Sequence, residues 1–141
     1  MASFTKFQPF VEHLAEKVHN LGSDQLKIAL TNTAPTATLA TYSELTSPLA
    51  TTNLSGATPF NVTTSSSAQT SGTYKLVCAD LTLTATGAVG PFRYVVLYND
   101  TPTSPADPLI GYYDYGSSIS LANGETFTID FDGSNGVLTI A

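Results

Sequence analysis

Asp130 and Asp132 are the residues whose types and spacing most resemble a reactive pair. The run Thr126 to Asp132 alternates Phe127, Ile129 and Phe131 with Thr126, Thr128, Asp130 and Asp132, so the two carboxylates share one wet strand face. Two residues apart they approach within about 7 Å, a separation suited to an acid pair or, with Asp114 or Asp100 joining from a loop, to calcium. Cleavage of cell-wall glycans by this pair is the enzymatic reading of the chain. A solvated strand face carries such residues for solubility alone, and no loop motif supplies the other oxygens that calcium takes. His13 and His19 lie six residues apart, about 120° around a helix rather than at the i, i+4 spacing a shared metal prefers, and are expected to be solvated. The single cysteine, Cys78, has no internal disulfide partner and is expected to be a packed thiol in the strand-like run YKLVCA. No nucleophile-elbow motif and no phosphate-binding glycine loop is present. The chain is therefore expected to be non-enzymatic, with no cofactor.

The aromatic residues carry more information. Tyr94, Tyr98, Tyr112, Tyr113 and Tyr115 cluster in two neighbouring segments, and such rings fill a core, stack on a sugar or anchor a protein interface. Tyr112 and Tyr113 are adjacent in a strand-like run, so their side chains point to opposite faces and at least one reaches a surface or a second subunit. Arg93 is the only cation after Lys75 and is expected to pair with an acid, Asp114 being the named partner, with an interface role as the alternative.

The elements that position these residues are mainly strands. Phe92 to Tyr98 is apolar or aromatic except at Arg93, which predicts a central strand covered on both faces. Gln25 to Thr31 alternates Leu26, Ile28 and Leu30 with Gln25, Lys27, Ala29 and Thr31, predicting a strand with one solvent-facing side. Tyr74 to Ala79 and Leu81 to Thr86 predict a strand pair, or one strand bent at Asp80. Gly116 to Ser118 and Asn123-Gly124 read as turns, and Asp132 to Gly136 as the turn of a last hairpin with Val137 to Ile140. Phe7, Phe10, Val11, Leu14, Val18 and Leu21 fall within about 100° on a helical wheel. They predict an amphipathic helix over 9–20, with Pro9 in its first turn, Glu12 near its positive end and Gly22 after its last residue. The expected fold is mainly β: an antiparallel β-sandwich or jelly-roll-like barrel of about eight strands with one N-terminal amphipathic α-helix.

At 141 residues the chain is expected to form a single domain over 1–141, with the helix docked on the sheet and 74–141 as the main β-sheet core. Residues 32–73 are rich in Ser, Thr, Ala and Pro, with no charge between Glu44 and Lys75, and read as an arm or long loop with a short edge strand near Phe60 to Thr64. Only 11% of residues are charged, against roughly 25% in typical domains, so the surface is dominated by hydroxyls and amides. The net charge of -6 lies wholly in the C-terminal half, and no basic patch is available for phosphates, which excludes a nucleic-acid partner. No apolar run approaches the roughly 20 residues of a membrane span, and no signal-peptide core follows the first Met, so a soluble protein made in a cytoplasm is expected.

The strings FVEHLAEKVHNLGSDQLKIALTNTAP, GPFRYVVLYNDT, LIGYYDYGSSISLANGETFTIDFD and NGVLTI together resemble a group of small structural proteins of tailed bacteriophages and prophages. The passages 10–35 and 90–132 carry most of the likeness. The resemblance implies a virion protein of the capsid decoration, or cement, type. It would bind the major capsid protein on the outer surface of the capsid, as a homo-oligomer such as a trimer, after synthesis in the host cytoplasm. It offers no catalytic residues. The surface expected to meet a partner comprises Phe4, Lys6, Phe60, Arg93, Tyr113 and Tyr115. The alternative is a head-fibre, collar or tail component that binds host-surface glycans or proteins through exposed tyrosines.

Overall fold

The structure, a computed structural model, describes residues 2–141. The described residues form a mainly β fold with several antiparallel sheets and one helix near the N-terminus. In chain order the elements are β1 (Phe4–Lys6), α1 (Gln8–Ala15), β2 (Leu26–Thr31), β3 (Asn61–Val62), β4 (Thr64–Thr70), β5 (Thr73–Cys78), β6 (Leu81–Thr84), β7 (Val89–Asn99), β8 (Leu109–Leu121), β9 (Thr126–Ile129) and β10 (Leu138–Ile140). A five-stranded sheet runs β1-β8-β7-β2-β3, a three-stranded sheet runs β10-β5-β4, and β6 pairs with β9. These ten strands exceed the eight expected because β1 and the polar β4 have no apolar signature.

The apolar run at Phe92 to Tyr98 does sit at the middle of the large sheet, and Phe92, Val96 and Leu97 are fully buried. Val95, Leu97 and Ile110 face one side, where Leu76, Cys78, Leu83 and Ile129 of the smaller sheets and Phe131 just after β9 meet them. Val96, Tyr98 and Leu109 face the other, against Phe7 and Leu45. Opposite Leu97 and Tyr98 stand Gly111 and Leu109, so Ile110 is an extra residue in β8. That bulge lets Leu109 and Tyr112 share a face despite their odd spacing. At Gly111 the Phe4 ring occupies the position a Cβ would take, so a larger residue there displaces that ring.

Several expectations are corrected. The helix ends at Ala15 instead of running over 9–20. Lys17 turns left-handed at φ 67, and Val18 N–H bonds to His13 O at 2.9 Å while Lys17 N–H bonds to Leu14 O at 3.4 Å. This is a Schellman closure with Lys17 where Gly22 was expected. Glu12 consequently lies beyond the first turn, and Val11 is 51% exposed. The expected wet side of β2 is reduced to the half-buried Lys27, since Ala29 and Thr31 are buried.

The cover over β2 is the segment 32–73, which is no projecting arm. Gln8 N–H bonds to Ala37 O, Leu109 N–H to Ala40 O, and Leu49 N–H to Leu30 O, all at 2.8–2.9 Å. A 3-10 turn at Tyr42–Glu44 brings Tyr42 onto Tyr98, and Leu45 enters the second core. Its last third becomes the hairpin β4–β5, with Ser71 and Gly72 both at positive φ, as a tight two-residue hairpin turn requires. At the other end of the chain, β10 pairs with β5 rather than closing a hairpin on β9. The chain breaks at Asp80, where the carboxylate accepts Phe131 N–H, and β5 and β6 belong to different sheets.

Candidate functional site

Two surface concavities gather the residues of interest. The first is a cleft of about 280 Å³ at the side of β8, where β9 runs past it, floored by Val95 and Ile129. Tyr113, Tyr115 and Phe127 wall it, with Thr128 and Asp130 at the rim. Tyr113 and Tyr115 are two residues apart in one strand, so they project to the same side. Tyr113 is clamped between Phe4, 5.2 Å away, and Phe131, 6.2 Å away. Burial pushes its phenol up to about 12, and the neighbouring Cys78 and Asp132 act in the same direction, so it stays a neutral donor. Tyr115 is 55% exposed and meets the Phe127 ring at 5.6 Å and 73°.

Tyr115 stands out because β8 is deformed beyond it. Between Tyr94↔Asp114 and Phe92↔Ile119 the partner strand advances two residues and β8 five, which throws residues 115–118 outward. Asp114 pins the root of this excursion. Arg93 donates to it through Nε at 2.7 Å and Nη2 at 3.0 Å, and Gly116 N–H donates to its Oδ1 at 2.8 Å. The Arg93 partnership holds the Asp114 carboxyl below its usual range. Arg93 thus makes the expected pair, with its guanidinium also over Tyr94 at 5.4 Å.

The second concavity is a groove of about 570 Å³ between α1, β1 and β10. Phe4, Phe10 and Leu14 line one side and Leu138 and Ile140 the other, with Lys6 as a cationic rim. Val11 and Ile140, at 51% and 42% exposure, are two of the exposed large hydrophobics of the chain and both line it. β1 and β10 are terminal strands of their sheets, so each leaves one edge without a strand partner.

Of the residues expected at a partner surface, Tyr113 and Tyr115 share the cleft, while Phe4 and Lys6 share the groove. Arg93 lies at the base of the β8 excursion. Phe60 is corrected to a core residue: it is 9% exposed, and its carbonyl accepts Ile28 N–H at 3.0 Å. Sequence reasoning missed Val11 and Ile140 as surface residues; the signal would have been a helix too short to cover its own apolar stripe. Phe127 was already on the apolar face of its strand by alternation, but nothing local pairs it with Tyr115.

Of the two acids, Asp130 is exposed and Asp132 is engaged locally. Asp132 closes a turn, accepting Ser134 N–H, Asn135 N–H and the Asn135 side-chain amide at 2.8–2.9 Å, and the Asn135 bonds hold its carboxyl below the usual range. Among the described residues no group of three or more His, Cys, Asp or Glu side chains is arranged for a metal ion. Cys78 is buried, and burial pushes its thiol up to about 11, which makes it unreactive at neutral pH. His19 is not solvated as expected; it is 6% exposed and packs on Phe10 at 5.1 Å. Asn99 Nδ2 donates to His19 Nδ1 at 3.0 Å and to Asp24 Oδ2 at 2.7 Å, and Asn99 Oδ1 accepts Thr101 N–H, which fixes the amide orientation. Nδ1 therefore accepts, and the imidazole proton sits on Nε2. Burial first, then the nearby His13, lowers the His19 pKa to about 4.

No helix among the described residues is long and apolar enough to cross a membrane. Comparison of the chain with protein-family models, with curated proteins and with solved structures finds no match.

Proposed function

We propose that this chain is a non-enzymatic structural protein of a tailed-phage virion, a cement protein that binds the major capsid protein on the outside of the head. The observation that carries the reading is the groove between α1, β1 and β10: it exposes Val11 and Ile140 beside two unpaired strand edges. Apolar side chains next to open edges form an attachment surface that supplies both burial and main-chain hydrogen bonds. The resemblance of 10–35 and 90–132 to phage structural proteins supports it, as does a surface poor in charge. Mechanically the effect is additive. Each bound copy stabilises the closed shell by RT ln(1 + [L]/Kd), and the gain repeats at every lattice site.

The test is to mix labelled protein with heads that lack it, sediment them, and count saturable copies per shell. A lattice-wide cement binds on the order of hundreds of copies, and Val11→Asp with Ile140→Asp abolishes binding without unfolding the protein. Saturation at a vertex-sized handful, or no binding, sinks the cement reading.

Exposed Tyr115 supports a second reading, a head-fibre, collar or tail component that binds host-surface glycans or proteins. It predicts that the isolated protein binds host cells and that Tyr115→Ala abolishes this, with head binding absent.

A further inference from the structure

The geometry points to the cleft beside β8 as a site for an alkylated ammonium group, of the kind carried by choline, a phosphocholine headgroup or trimethyl-lysine. This inference stands apart from the virion reading and rests only on the cleft.

Three aromatic rings and one carboxylate meet there. Tyr115 and Phe127 adjoin at 73° with centroids 5.6 Å apart, which makes them two walls of a corner rather than a stacked pair. Tyr113 forms a third wall, and its neighbours Phe4 and Phe131 hold that ring in place. Asp130 is exposed at the rim, and among the described residues no Lys, Arg or His lines the cleft. Aromatic faces and a carboxylate both attract a cation, and methyl groups on nitrogen match the apolar floor of Val95 and Ile129.

Charge and hydrogen-bonding capacity decide against other small ligands. An anion meets the Asp130 carboxylate with no cationic side chain among the described lining residues, and Arg93, at the base of the β8 excursion, is engaged bidentately by Asp114. A sugar needs several convergent donors and acceptors. The cleft offers few, and the Thr128 hydroxyl is already hydrogen-bonded to Thr82 at 2.9 Å. A hydrated sodium or ammonium ion gains little from an apolar floor, so the methylated cation is the better fit. At about 280 Å³ the cleft suits a headgroup-sized ligand rather than an extended chain.

The assigned ring-proton NMR signals of Tyr113, Tyr115 and Phe127 report directly on the walls. Tetramethylammonium chloride and choline chloride are titrated into the full-length protein, with sodium chloride and methyl glucoside as controls. Saturable shifts of the Tyr115 and Phe127 signals with both ammonium salts are expected, with neither control reproducing them. Tyr115→Ala and Asp130→Asn each weaken the affinity by about tenfold. Both residues are exposed, and unchanged thermal melts verify that the variants fold. Absence of saturation, an unaltered response in both variants, or a response to methyl glucoside in place of tetramethylammonium overturns the proposal. Phosphatidylcholine vesicles and trimethyl-lysine peptide, titrated alongside free choline, identify which carrier presents the group when the ammonium salts bind.

Discussion

The two faces of the five-stranded sheet are closed by different means. On one face the cover is regular: β5, β6 and β9 lay Leu76, Cys78, Leu83 and Ile129 over Val95, Leu97 and Ile110, and α1 adds Phe10. On the other the cover is the irregular stretch 33–49, which contributes Leu39, Tyr42 and Leu45 and is tied by single backbone hydrogen bonds to the sheet at Ala40 and Leu49 and to the start of α1 at Ala37. Strands bring their own hydrogen-bond ladder to a cover, so apolar area is their main stabilising term. A loop must find a partner for each backbone group it buries, and so docks at a few points. The difference predicts a robust face and a face that opens locally.

The largest effect comes from cutting the strand-covered face. Phe92→Ala removes a fully buried ring in T-shaped contact with Phe127, and is expected to cost about 3–5 kcal/mol in urea unfolding. Hydrogen exchange should then accelerate across the whole sheet, as global unfolding does.

Leu45→Ala, on the loop-covered face, is expected to cost about 2–3 kcal/mol. Its exchange signature sharpens the contrast: protection falls in 33–49 and along β2 while β4 and β5 keep theirs. Uniform acceleration instead would make the two faces one cooperative unit.

Acid acts at the corner where the strand-covered face is closed by the helix and its exit loop. The groups facing His19 are His13 on α1 and Asp24 ahead of β2. The folded state lowers the His19 pKa from 6.5 to about 4, so the unfolded chain takes the proton first as pH falls. Stability from this group is full above about pH 6.5 and is lost progressively toward about pH 4. Between about pH 7 and about pH 5 the loss is on the order of 2 kcal/mol. His19→Gln should flatten that slope in paired denaturation curves, and an unchanged slope would assign the acid sensitivity elsewhere.

The smallest effect is a gain. Lys17 holds a left-handed backbone at φ 67, and Lys17→Gly removes that strain. An increase of about 0.5–1 kcal/mol is expected by thermal melting. No gain would mean that the Lys17 side chain supplies an offsetting contact.

Much of the fold was legible because neighbours in sequence share one face or one turn. The continuous run Phe92 to Tyr98 marked the central strand, and the alternation Phe127, Ile129, Phe131 marked a strand with one wet side. Pro9 and the apolar stripe marked α1, but its end was misread, since a Schellman turn at Lys17 uses a residue with no special left-handed preference. β4 was invisible, since Thr64 to Thr70 is polar and is a strand only because β5 lies beside it. Of the candidate site, Arg93 with Asp114 and the surface position of Tyr115 were readable; the burial of Phe60 and His19 was not.

By itself the sequence determined the mainly β class, the central strand and the buried Cys78, since each depends on residue type and on short-range periodicity. Tertiary structure alone decided that 32–73 folds back as a cover. It alone set Tyr115 against Phe127, left Val11 and Ile140 bare, and buried His19 under Phe10. Those outcomes depend on packing between residues at least 9 positions apart, such as His19 with Phe10 or Tyr115 with Phe127, whose choice is made by the packing of the whole chain and leaves no local pattern.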